Sequence, residues 1–273
     1  MRTLAHAGVL RRLRAARVRF RADDLGTMAA ALTYQAFLSL FPLMLLALSV
    51  AGFVLSGKPA DVLEEFYAAI PGIGPLLLQN LDHIVSARAS LGLIALLGVV
   101  WTASGLTSRA TAALGRIYRI PDRGIVRRRG RSLLAMLVLG AALIAGLVLS
   151  GAIANLEADG WLGTVVRVIA FLGVAALEFA FFWGTYAILT PNGGPPNRAH
   201  IPGALLMTLS WEVMKLVGGV LVVRTVAKAS LLYGTIGAVF GLLIFLRVAS
   251  AVYLVGAELS AILREEQTQI TGP

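Results

Sequence analysis

Cysteine is absent from the 273-residue chain, charged residues make up only 14 %, and there are three histidines, His6, His83 and His200. The missing cysteine excludes disulfides, thiolate metal sites and cysteine-held iron–sulfur clusters. The histidines are far apart in sequence and do not assemble a zinc ligand set. No Walker A motif, dinucleotide-binding glycine fingerprint or G-x-S-x-G nucleophile elbow occurs. Gly72, Gly74, Gly193 and Gly194 are turn glycines beside prolines. These absences argue against an ATP-driven pump on this chain alone. No catalytic constellation is left, so the chain reads as a non-enzyme with no metal and no cofactor. No repeat between residues 1–132 and 133–273 marks an inverted-repeat transporter.

What is present is apolar. Hydrophobic residues make up 58 % of the chain and the mean hydropathy is +0.82. A soluble globular chain carries about 25 % charge. Disorder is excluded, because this much apolar surface cannot stay in water. Six runs reach the roughly 20 residues that cross about 30 Å of hydrocarbon. They are 28–55, 90–113, 133–154, 165–189, 201–223 and 235–263. The ~10-residue alternation of a membrane barrel is missing, so the expected fold is all-α, a polytopic membrane protein of six transmembrane helices.

The net charge of +10 has a place in this scheme. Seven Lys/Arg precede the first run and seven lie in 114–132; with Arg198 and Arg264 they make 16 on alternate segments, against 4 on the others. That asymmetry predicts cytoplasmic N- and C-termini. It also assigns the basic residues to the inner face, beside anionic headgroups, rather than to nucleic acid. The 114–132 segment has one aromatic, Tyr118, where base stacking would need several. The N-terminus does not read as a cleavable signal peptide, because the apolar run after its arginines is too long.

Three regions follow: a basic segment 1–27, a membrane domain 28–263, and a tail 264–273. Within 4–21, Leu10, Leu13, Ala16 and Phe20 fall on one side of a helix with arginines around them, as in an in-plane helix on anionic lipid; a frayed basic tail is the alternative. The outer loop 56–89 carries two short apolar stripes separated by Pro71 and Pro75, expected to be short surface helices.

Charges inside the runs are costly in hydrocarbon and should face the interior, an aqueous cavity or an interface. Arg109 and Glu258 sit near the inner ends of their runs and Arg167 near an outer end, from where all three could snorkel. Glu178, Glu212, Lys215 and Arg247 lie deeper; at 1.5 Å per residue Glu178 is roughly 20 Å inside its run. Glu212 and Lys215 are i,i+3 neighbours able to pair. Arg247 would then seek Glu178 or Glu212. Such a midplane network is either a stitch between helices or a polar path for a charged headgroup. In the first run Tyr34, Gln35 and Ser39 precede Pro42, which removes a backbone hydrogen bond and kinks or hinges the helix. Gly237 and Gly241 form a small-xxx-small pair that permits close helix contact.

Several stretches, in order, carry a resemblance: AAALTYQAFLSLFPL (29–43), WTASGLTSRATAALGRIY (101–118), YAILTPN (186–192), PGALLMTLSWEVMK (202–215), YGTIGAV (233–239) and GAELSAIL (256–263). Together they make the chain similar to the YihY/BrkB family of bacterial inner-membrane proteins, sometimes labelled ribonuclease BN-like. The resemblance implies six spans in the inner membrane. It also implies a role near virulence, serum resistance or the transport of envelope lipid or lipopolysaccharide. The ribonuclease label finds no support in the residues, because the cytoplasmic segments offer neither metal-binding carboxylates nor a histidine pair. The resulting expectation is a transporter, flippase or export component for an envelope lipid. The alternative is a non-transporting scaffold that binds an envelope-assembly protein partner.

Overall fold

A computed structural model of the chain describes residues 15–16, 18–55, 81–120, 160–191, 194–226 and 231–271. Among the described residues there is no strand, and five α-helices follow one another: α1 (Leu25–Leu55), α2 (Leu81–Ile117), α3 (Gly160–Leu189), α4 (Ile201–Val226) and α5 (Leu231–Thr271). A short 3-10 turn, Asn197–His200, leads into α4. The expected run 133–154, the outer loop over 56–80, the basic residues 121–132 and most of the N-terminal segment lie outside the described residues.

Among the described residues four stretches are long and apolar enough to cross a membrane: Leu25–Leu46, Ala89–Ile117, Gly163–Leu189 and Val239–Gln269. They coincide with four of the six runs. Helix α4, the fifth, has 26 residues, about 39 Å at 1.5 Å per residue. It corresponds to the fifth expected run, 201–223. The chain is a polytopic all-helical membrane protein. Leu97, Trp101, Ile169, Leu172, Leu209, Leu216, Phe240 and Ile244 are exposed along the helices. In water so many exposed apolar side chains would drive aggregation; in a bilayer they face acyl chains.

The helix ends are set locally. α2 closes with Ile120 N–H donating to the Gly115 carbonyl at 2.8 Å and Arg119 N–H to the Arg116 carbonyl at 3.2 Å. This double closure places Arg119 in the left-handed region at φ 55°, where glycine is the usual occupant. Before α1 the chain turns at Asp24, φ 51°, and the Thr27 hydroxyl donates to Asp24 Oδ1 at 2.9 Å. α3 stops at Leu189, two residues before Pro191, and Pro202 sits in the first turn of α4, where its missing N–H costs nothing.

Two compact units can be distinguished, one of residues 1–34 with 104–273 and one of 35–103. The first has a core of Leu25, Leu32, Leu114, Ile117, Phe182, Tyr186, Met207 and Leu254 filled in by Ala29, Ala113, Ala204 and Ala257. Small residues let its helices approach closely, since no hydrophobic effect drives helices together in lipid. The tightest crossing joins α4 to α5: a Cβ at Gly203 would meet the Gly256 carbonyl oxygen at 2.4 Å, and one at Gly256 would meet the Gly203 oxygen at 2.8 Å. At Gly237 and Gly241, the pair expected to make such a contact, no described residue lies within 4 Å. In the second unit α1 runs through Pro42 to Leu55, and a Cβ at Gly98 of α2 would meet the proline ring at 2.9 Å.

Candidate functional site

Helices α3 and α4 pack side by side and bring the sequence-distant charges together. Lys215 Nζ donates to Glu178 Oε1 at 2.8 Å and to Glu212 Oε1 at 2.8 Å. One ammonium thus bridges two carboxylates, and the triad carries one net negative charge. Its side chains remain 38 % (Lys215), 20 % (Glu178) and 18 % (Glu212) exposed. Glu178 Oε2 is buried with no hydrogen-bond partner, so the triad keeps an unused acceptor.

Arg247 does not join it. Its Nη2 donates to the Gly26 carbonyl oxygen of α1 at 3.1 Å, and its Nη1 is buried without a partner. Arginine is long enough to reach a backbone acceptor on a neighbouring helix. Beside it, the Thr33 hydroxyl donates to the Ala29 carbonyl at 2.7 Å and lies 3.4 Å from Ser250 Oγ.

The expected snorkelling of Glu258 does not occur. It is 1 % exposed and both carboxylate oxygens lack hydrogen-bond partners. The cause is the length of α5, which continues to Thr271; Glu258 therefore sits in the core beside Leu254, Ala257 and Ala261 rather than at a helix end. Asp23, Arg19 and Glu265 are the charges around it. Arg109, by contrast, is exposed. The side chain of Arg167 lies outside the described residues.

The polar kink belongs to the second unit. Gln35 and Ser39 are buried; Gln35 Nε2 donates to the Thr102 carbonyl at 3.1 Å and Ser39 Oγ to the Gln35 carbonyl at 2.8 Å. Tyr34 does not line the kink with them: it is exposed, because successive residues point about 100° apart on a helix.

A cluster that the sequence did not signal lies in the first unit. His200, expected on an inner aqueous segment, is buried instead. Tyr118 Oη lies 3.0 Å from His200 Nδ1, the Tyr186 ring stacks on the imidazole at 6.2 Å, and Tyr253 stacks on Tyr186 at 4.5 Å. The Tyr186 hydroxyl donates to the Tyr253 carbonyl at 2.6 Å. Ser260 Oγ accepts the Gly203 N–H at 2.9 Å, satisfying one of the free donors in the first turn of α4. Burial, with Arg264 adding to it, pushes the His200 imidazole down to about 4; burial likewise raises Tyr118 above the ordinary tyrosine range. Neutral His200 accepts from, or donates to, the Tyr118 hydroxyl according to tautomer. The stretches that carry the family resemblance meet here: Tyr118, Tyr186, Gly203, Gly256 and Ser260 come from four of them.

Among the described residues no group of three or more His, Asp or Glu side chains could hold a metal ion.

Residues 16–272 match the family described as virulence factor BrkB. The chain belongs to that family. Among BrkB relatives, a ribonuclease-like protein YfkH of Bacillus subtilis is 24 % identical, over 88 % of this chain and 90 % of its own length. A UPF0761 membrane protein of Alcanivorax borkumensis is 28 % identical over 92 % of this chain, which spans only 60 % of that relative. The inner membrane protein YhjD of Escherichia coli is 27 % identical over 80 % of this chain and 70 % of its own. No solved structure matches the chain.

Proposed function

We propose that this BrkB-family protein moves an amphipathic envelope lipid across the bacterial inner membrane, with the Glu178–Lys215–Glu212 triad handling the charged head. One observation carries the reading: three paired charges stand at mid-helix on α3 and α4, yet their side chains remain 18–38 % exposed. A charge at the centre of a bilayer costs about 2.5–3.5 kcal/mol even by insertion scales. A stitch that served packing alone would lower that cost by full burial. A half-open triad offers Lys215 to a phosphate as a lipid head passes.

The test is phospholipid translocation in proteoliposomes, wild type against Glu212→Gln and Lys215→Met. Translocation above that of empty liposomes, lost in the variants with folding intact, is the expected result. Translocation unchanged by either substitution removes the triad from the path. No translocation of any common lipid class by the wild-type chain overturns the reading and favours a scaffold for an envelope-assembly partner.

A further inference from the structure

A second polar feature lies apart from the triad, where the C-terminal end of α2 meets the last turns of α5. An open cleft of about 430 Å³ is lined there by Tyr118, Arg119, Arg264, Glu265, Thr268 and Gln269. That volume is within the range of small-ligand sites, about 300–1,000 Å³. The single acid of the cleft is already committed. Arg19 grips Glu265 in a fork, Nη1 to Oε1 at 3.1 Å and Nη2 to Oε2 at 2.5 Å, and this pairing raises the Arg19 guanidinium above its ordinary value. Arg119 and Arg264 have no ion-pair partner among the described residues. The cleft therefore presents two guanidinium groups outside any ion pair, though both bear on the Glu265 charge, with the amide of Gln269 beside them; the Thr268 hydroxyl is already donated to the Arg264 carbonyl at 3.0 Å.

The backbone supplies a second, independent sign. Arg119 occupies the left-handed position that closes α2, φ 55°, a position where glycine is the usual residue. The side chain kept there lines the cleft. An arginine held in a conformation that disfavours it, on the wall of a cationic cleft, fits a binding task better than a packing one.

We infer that this cleft binds a phosphate group, gripped by Arg119 and Arg264, with the Gln269 amide as a further donor. Guanidinium forks match phosphate oxygens in geometry and charge. The phosphate arrives either on an anionic phospholipid head or on a soluble phosphate monoester.

Binding, rather than translocation, is the readout, so failure of this inference and failure of the transport reading are separable. Native mass spectrometry of the full chain in neutral detergent would measure retention of phosphatidylglycerol, with phosphatidylcholine as the uncharged reference. A parallel titration would use glycerol 3-phosphate. The variants are Arg119→Gly, which relieves the backbone conformation and so should fold at least as well as wild type, and Arg264→Gln at an exposed position. Arg198→Gln removes one exposed positive charge elsewhere and controls for net charge. Loss of one charged hydrogen-bonding partner should weaken binding about tenfold or more. Phosphatidylglycerol retention weakened in both cleft variants but not in Arg198→Gln supports the lipid headgroup. The same pattern for glycerol 3-phosphate, with lipid retention unaffected, supports a soluble phosphate compound in the same grip. Retention of both probes unchanged in the cleft variants, or weakened equally by Arg198→Gln, overturns the inference.

Discussion

His200 shows how a single side chain can carry a pH dependence. Its imidazole is pushed from 6.5 to about 4 in the folded chain. The unfolded chain therefore takes up a proton as pH falls through 6.5, while the folded chain resists until about 4. Stability is full above the unfolded value and is lost as pH falls between the two, by about 3 kcal/mol in total at 1.36 kcal/mol per unit. Relative to a variant that cannot titrate there, the wild-type melting temperature in detergent should be level above pH 7 and fall through the acid range. His200→Gln, which cannot titrate there, should flatten that slope; an unchanged slope in the variant would show that other groups cause it. Arg119→Gly makes a complementary residue-scale prediction: melting should rise by the equivalent of about 1 kcal/mol, the left-handed cost for a side chain. The sequence made the charges of the triad visible because charge in an apolar run is conspicuous, and the i,i+3 spacing of Glu212 and Lys215 indicated their pairing. It did not indicate the partner of Arg247, because a backbone carbonyl leaves no mark in the sequence. Nor did it indicate the burial of His200, because a short polar segment before a helix reads as exposed.

At the scale of helices, existence was legible and contact was not. Apolar runs of membrane length located α1, α3 and α4 within about five residues, because lipid demands that length whatever the neighbours are; α5 runs eight residues past its expected end at 263, to Thr271. Which glycines meet is a property of two helices at once. Gly237 and Gly241 share the small-xxx-small spacing but meet no described residue, whereas Gly203 and Gly256, on different helices, bring backbones together. Alanine should therefore separate the two pairs. Gly203→Ala and Gly256→Ala force carbonyl and side-chain atoms apart and should each cost about 1–3 kcal/mol, the range for overpacking a closed contact. Gly237→Ala and Gly241→Ala meet no described residue and should gain about 0.5–1 kcal/mol from helix propensity. Melting temperatures of the four variants decide this. Equal effects in both pairs would mean that the α4–α5 crossing is not the tight contact described.

For the molecule as a whole, the 16-to-4 distribution of Lys and Arg over alternate segments predicts that the N-terminal segment and residues 114–132 share a face. Six crossings would also put residues 121–132 and 155–159 on opposite sides of the bilayer, but the count is the same 16 to 4 if 133–154 does not cross, so that crossing has to be measured. The absence of cysteine makes that crossing directly measurable, since any cysteine introduced is the single reactive thiol. Ala5→Cys and Ile125→Cys should react with a membrane-impermeant maleimide only after spheroplasts are permeabilised. Ala68→Cys and Ala158→Cys should react in intact spheroplasts. The pair Ile125 and Ala158 is decisive: labelling of both from one side would mean that 133–154 does not cross, leaving an odd number of spans and the two termini on opposite faces. In that case residues 1–27 and 114–132 would still share a face and the count would stay 16 to 4, with Arg224 and Lys228 taking the places of Arg198 and Arg264. Labelling from opposite sides places the Arg119–Arg264 cleft on the inner face, where anionic lipid heads and cytoplasmic phosphate compounds both reach it.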